Sequence, residues 1–95
     1  MPYNIVYTAY AERDIWQIAE YLCEHSPPAA ETFLREVKKR VEQLADMPHM
    51  YPQIDPAQPY RKMVLGNYVV IYAPYEPTST ITVKRVVHGK RNYKP

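Results

Sequence analysis

Apolar and polar residues alternate in blocks that predict six elements. Tyr3 to Tyr7 has the composition of a short strand, with Tyr3, Ile5 and Tyr7 on one side. From Ala9 to about Glu24 the period changes to that of a helix. Ala11, Ile15, Ile18, Ala19 and Leu22 form one stripe, Glu12, Arg13, Asp14, Gln17, Glu20 and Glu24 lie mostly off it, and Trp16 and Tyr21 are expected as packing rims. Thr8 suits the N-cap, and Ser26-Pro27-Pro28 ends this helix and caps the next, because the missing proline N–H is not needed in a first helical turn. The second helix is expected to run to about Asp46 on a stripe of Ala30, Phe33, Leu34, Val37, Val41 and Leu44. Lys38-Lys39-Arg40 is expected on its solvated face. So short a connection predicts an antiparallel helix hairpin.

Residues 48–59 carry four prolines and form no regular element, so they are read as a stiff connector. Tyr60 to Leu65 and Tyr68 to Ala73 then read as strands joined by a tight turn at Gly66-Asn67. Thr80 to His88 is the last strand. Strict alternation would place Ile81, Val83, Arg85 and Val87 on one face and Thr82, Lys84, Val86 and His88 on the other. The expected fold is α+β, in the order β-α-α-β-β-β. A helix hairpin covers one face of a small, mostly antiparallel sheet, and the other face is partly wet or covered by something else.

Ninety-five residues form one domain, residues 1–95, and its 46% apolar content argues against disorder. Ten prolines against two glycines imply rigid loops, and ten tyrosines against one phenylalanine suit half-wet surfaces. The lone Cys23 excludes an internal disulfide and a cysteine-based zinc cluster. Neither a signal peptide nor a membrane span is apparent, and no metal or cofactor motif occurs, so a cytoplasmic protein without cofactor is expected. Residues 1–47 hold five Lys/Arg against eight Asp/Glu, whereas residues 48–95 hold seven against two. The C-terminal half therefore faces an anionic partner, or else the charges merely solvate two faces.

The chain resembles the RelE/ParE superfamily of bacterial toxins over nearly its whole length. The likeness rests on Ala11, Asp14-Ile15, Ile18 and Tyr21-Leu22, on Ser26-Pro27, Ala30, Phe33, Leu44 and Pro48, and on Tyr60-Arg61. It continues through Gly66 to Tyr72 (GNYVVIY) and Arg85 to Arg91 (RVVHGKR), the latter closest to the ParE branch and to plasmid-stabilisation proteins. The resemblance implies the toxin of a type II toxin–antitoxin system, neutralised by a cognate antitoxin. A ParE-like member inhibits growth through DNA gyrase without being an enzyme. The alternative is a RelE-like mRNA interferase acting on the ribosome, and a second is a non-toxic relative kept as a binding module.

Metal-free RNA cleavage needs an acid, a base and cations on the phosphate. His88 is the histidine placed among cations, and with Arg91 it is the candidate catalytic pair if the protein is a nuclease. Arg61, Lys84, Arg85, Lys90 and Tyr93 are the candidate target- or phosphate-binding residues. Two departures weaken the nuclease match. Val69 stands where that branch commonly has arginine, and a catalytic tyrosine is expected further beyond the GKR-like turn. Structural roles compete at several positions: Arg85 with a helix carboxylate such as Asp14 or Glu20, and His88 with backbone or Asp14.

Overall fold

The computed structural model describes residues 2–90, so Arg91 and Tyr93 lie outside the described residues. The elements are β1 (Asn4–Tyr7), α1 (Ala9–His25), α2 (Pro27–Leu44), β2 (Arg61–Leu65), β3 (Tyr68–Tyr75), a 3₁₀ turn (Glu76–Thr78) and β4 (Thr80–His88). Both helix starts are built as their sequences dictate. Thr8 Oγ1 accepts from the Ala11 amide at 3.0 Å, and Ser26 Oγ accepts from the Ala29 amide at 3.4 Å, with prolines filling the first turn of α2. Gly66 takes a φ of 60°, the left-handed value that the hairpin turn between β2 and β3 requires.

The sheet order is β1-β4-β3-β2. The last three strands form the expected antiparallel meander, and β1 joins it parallel to β4, Asn4 opposite Thr80 through Tyr7 opposite Val83. One face of the sheet packs on the helix hairpin. Ala11, Ala19, Phe33, Val37, Val41 and Leu44 from the helices meet Met63, Leu65, Val70, Tyr72, Ile81, Val83 and Val86 from the strands. Burying each larger side chain contributes about 1.5–3 kcal/mol, which makes this layer the main stabilising term. The opposite face carries a smaller cluster of Val69, Ile71 and Val87, covered by Ile54 and Tyr60 of the connector. That connector is pinned along the first part of β2 by a bridge between Gln53 and Arg61 and by the Lys62 amide, which donates to Pro52 O at 3.1 Å.

Several expectations need correction. The alternation of β4 is broken. Ile71 lies opposite Arg85 but Tyr72 lies opposite Val83, so Lys84 is an extra, bulged residue. Beyond it the faces exchange. Val86 joins Ile81 and Val83 in the helix-side core, and Val87 goes to the opposite cluster. Arg85 and Val87 therefore do not continue the Ile81–Val83 row, because one inserted residue shifts a period of two by half a cycle. β3 also runs past Ala73 through Pro74. β2 ends at the level of Tyr72, so the missing proline N–H points to an open edge and breaks no ladder bond. Trp16 and Tyr21 are exposed rather than packed as rims. Arg40 is not part of a solvated charge run: its Nη2 donates to Tyr51 OH at 3.2 Å and to the Val64 carbonyl at 3.4 Å.

Candidate binding site

β1 is four residues long and pairs with β4 only as far as Val83, which leaves the next residues of β4 without a neighbouring strand. Helix α1, which starts immediately after β1, takes that place. Thr8 donates its amide to Val83 O at 3.0 Å and its hydroxyl to Lys84 O at 2.8 Å. Nearly two turns further on, the Asp14 carboxylate accepts from Arg85 Nε at 2.7 Å, Arg85 Nη2 at 3.0 Å and the buried Val86 amide at 2.9 Å. Asp14, expected mostly off the apolar stripe of α1, is thus buried, and these three donors satisfy its carboxylate. The hydrogen bonds that Arg85 donates to Asp14 raise the Arg85 pKa above its ordinary value, and the Asp14 charge adds to this against the opposing effect of burial.

Among the described residues, the predicted cations Arg61, Lys84 and Arg85 consequently do not converge. Arg85 is locked to Asp14 at the sheet edge. Arg61 donates Nη1 to the carbonyls of Tyr51 at 2.6 Å and His49 at 3.4 Å, where it fastens the connector. Lys84, projected by the bulge, donates to Tyr60 OH at 2.6 Å and lies 4.3 Å from the centre of that ring. His88 stands at the end of β4 on the helix side, its ring 5.6 Å edge-on from Tyr68. Its Nδ1 accepts the Lys90 amide at 3.2 Å, so the proton of the neutral ring is on Nε2. Val69 is buried in the apolar cluster opposite the helices. Among the described residues no group of three or more His, Cys, Asp or Glu is arranged to hold a metal.

Two grooves flank Tyr68. The one between α2 and the β2–β3 turn is the more apolar, with a volume of about 630 Å³ and walls that include Leu22, Ala29, Phe33 and Leu65. The second, about 480 Å³, lies between α1 and the ends of β3 and β4, lined by Gln17, Ile18, Tyr21, Asn67, Tyr68 and His88 among others. Burial, and to a lesser degree nearby Tyr21, raises the Tyr68 pKa, so this ring enters both grooves as a neutral phenol at physiological pH. Sequence reading missed Tyr60 and Tyr68 as site residues. Their spacing marks them only as strand residues, and the rings become partners once the connector and α1 are packed on the sheet.

This architecture, a helix hairpin on one face of a four-stranded sheet whose first strand pairs with its last, is that of the RelE/ParE toxin superfamily. It is similar to the chromosomal ParDE toxin–antitoxin system of P. aeruginosa at 14% identity (TM-score 0.74, 90% of this chain and 95% of that chain). It is also similar to the RelBE2 toxin–antitoxin complex of Mycobacterium tuberculosis at 21% identity (TM-score 0.65, 93% and 99% covered). The isolated RelE toxin of E. coli matches at 14% identity (TM-score 0.68, 96% and 88% covered). No curated protein sequence matches the chain. Residues 5–93 match the family of the ParE toxin of the type II toxin–antitoxin system, parDE, and the chain belongs to that family. It is thus a toxin of the type II toxin–antitoxin class. Among the described residues, no helix is long and apolar enough to cross a membrane.

Proposed function

We propose that this toxin acts in the ParE manner, binding and inhibiting DNA gyrase, and that a cognate antitoxin neutralises it. The scatter of Arg61, Lys84 and Arg85 among the described residues carries this reading. Phosphoryl chemistry without a metal needs donors that converge on one anion, and here Arg61, Lys84 and Arg85 bond to the connector, to Tyr60 and to Asp14. Where the nuclease branch commonly has an arginine, Val69 is buried among Ile71, Val87, Ile54 and Tyr60. The antitoxin is supported by the similar ParDE and RelBE assemblies, which are toxin–antitoxin complexes. Exposed Tyr10, Trp16 and Tyr21 on α1 offer aromatic contact area of the kind that protein interfaces favour.

The deciding experiment is a supercoiling assay with purified gyrase, with and without the protein encoded by the adjacent reading frame. Inhibition by the toxin, relieved by that protein, is expected. Untouched supercoiling at saturating toxin, together with growth arrest on expression, would sink the gyrase reading. New 5′ ends in translated messages would then put an mRNA interferase in its place, and unimpaired growth would leave a non-toxic binding module.

A further inference from the structure

Just past α2 the chain turns sharply, and the turn gathers soft ligands. The Met47 amide donates at 3.2 Å to the carbonyl of Leu44, the last residue of the helix, and the Met50 amide closes the turn on Met47 O at 3.2 Å. Such a four-residue turn holds its outer Cα atoms within about 7 Å, and Pro48 in its second position fixes φ there. Met47 and Met50 thus flank one turn, 55% and 53% exposed, and both line a cavity of about 340 Å³ beside Asp46. Met63, by contrast, is fully buried in the core. His49 stands between the two thioethers in sequence. Its Nε2 lies 3.2 Å from Glu76 Oε1, so the neutral ring carries its proton there and presents a lone pair on Nδ1. Arg61 steadies the turn by donating to the carbonyls of His49 and Tyr51.

We propose that Met47, Met50 and His49 Nδ1 bind a soft monovalent metal ion, Cu(I), for which Ag(I) is the probe. The inference is independent of the toxin's target. Among the described residues His, Cys, Asp and Glu alone assemble no metal site, so the methionines define this one. Thioethers are neutral and polarisable and select Cu(I), whereas Mg(II), Ca(II) and Zn(II) favour carboxylate, imidazole or thiolate. A histidine that gives its far N–H to a carboxylate is the usual support of a metal ligand, because the carboxylate fixes the tautomer and ring orientation and makes the other nitrogen more basic. Nδ1 is the nitrogen nearer the main chain, within range of the flexible side chains on either side of it. The field has the right sign. No basic residue sits in the last turn of α2 to offset the partial negative charge of that helix end, and Asp46 and Glu76 add to it. Arg61 opposes a cation, which favours one charge over two.

The test uses the full chain as Cys23→Ser, because the exposed Cys23 thiol would itself take these ions. Ag(I) is titrated in chloride-free buffer, and Cu(I) under nitrogen gas against a chromophoric Cu(I) chelator. A single saturable site is expected, with the methyl resonances of Met47 and Met50 shifted and that of Met63 unmoved. Met47→Leu and Met50→Leu conserve size and should each weaken binding at least about tenfold, as should His49→Ala. Glu76→Gln leaves all three ligands in place and should weaken it about tenfold through the imidazole. No saturable binding, binding unchanged when both methionines are leucine, or Zn(II) binding as tight as that of Ag(I) would each overturn the proposal. Loss in His49→Ala without loss in either leucine variant would assign an ordinary imidazole site and also overturn it. The methyl resonances are read with every ligand present, so unmoved Met47 and Met50 signals at saturating Ag(I) overturn it whatever the variants do.

Discussion

Replacing Asp14 by alanine is expected to cost roughly 2–4 kcal/mol of stability, most of it from one backbone amide. Asp14 accepts the buried Val86 N–H at 2.9 Å, and stripping a buried donor of its acceptor costs about 1–3 kcal/mol. The ion pair adds less. The Arg85 side chain is 37% exposed against 10% for Asp14, so solvent screens the pair toward the ~1 kcal/mol of a surface bridge. Urea unfolding at pH 7, followed by circular dichroism, should show the midpoint fall by about 1–2 M, given a mid-range slope of about 2 kcal/mol per M. A cycle with Arg85→Met separates the parts. The pair should couple by about 1 kcal/mol, and Asp14→Ala should remain costly in the Arg85→Met background. A midpoint for Asp14→Ala within about 0.3 M of wild type would refute the reasoning. If its cost vanished once Arg85 was gone, the amide would be refuted as the main term.

Other outcomes follow from the same geometry. The fully buried Tyr72 hydroxyl makes no well-formed hydrogen bond among the described residues, although the Tyr51 backbone lies close enough to act on it, so Tyr72→Phe should leave stability at pH 7 within about 1 kcal/mol or raise it, and a larger loss in urea would contradict this. Burial raises the Tyr72 pKa above 10.0, so the folded state holds its proton after the unfolded chain has released it. Stability from this group is full below about pH 10 and falls as pH rises further, and Tyr72→Phe should flatten the alkaline limb of a pH–stability curve. Gly66→Ala meets no atom within 4 Å but must hold a φ of 60°, so a loss of about 1–2 kcal/mol from backbone strain alone is expected by urea unfolding. Arg40→Ala frees Tyr51 OH and the Val64 carbonyl, and should cost about 0.5–1.5 kcal/mol and speed amide exchange at Lys62, where the connector meets β2.

Local signals made most of the fold legible. The helical stripes of Ala11 to Leu22 and Ala30 to Leu44, the caps at Thr8 and Ser26 and the turn at Gly66 all act within a few residues, and all were readable. The pairing of Arg85 with Asp14 was readable as an alternative because an arginine of the meander can lay its stem along apolar surface and reach a carboxylate of the helix hairpin, but Glu20 competed with Asp14 for that role. The bulge was harder to see. Its trace is the step from Val83 to Val86, three residues where alternation demands two, but Arg85 and Val87 supply a competing row. The partner of β1 could not be read at all, since parallel pairing uses no tight turn and leaves no mark beside either strand. The site was the least legible part. Whether a lysine such as Lys84 meets solvent or the ring of Tyr60 depends on how a proline-rich connector lies over the sheet.

The parallel pairing of β1 with β4 also bears on when the molecule becomes whole. Thr8 and Lys84, joined by a hydrogen bond at 2.8 Å, are 76 residues apart, so this closure carries a large entropic cost of long-range contact. The helix hairpin and the β2–β3 hairpin need only local encounters. During synthesis β1 emerges first yet has nothing to pair with until residue 83 has left the ribosome. The amides of Asn4 to Tyr7 should therefore gain exchange protection after those of α1 and α2 in a refolding experiment, and earlier protection would contradict this order. The bonds from Thr8 to Val83 and Lys84, which seat the start of α1 against β4, form only once that closure has happened.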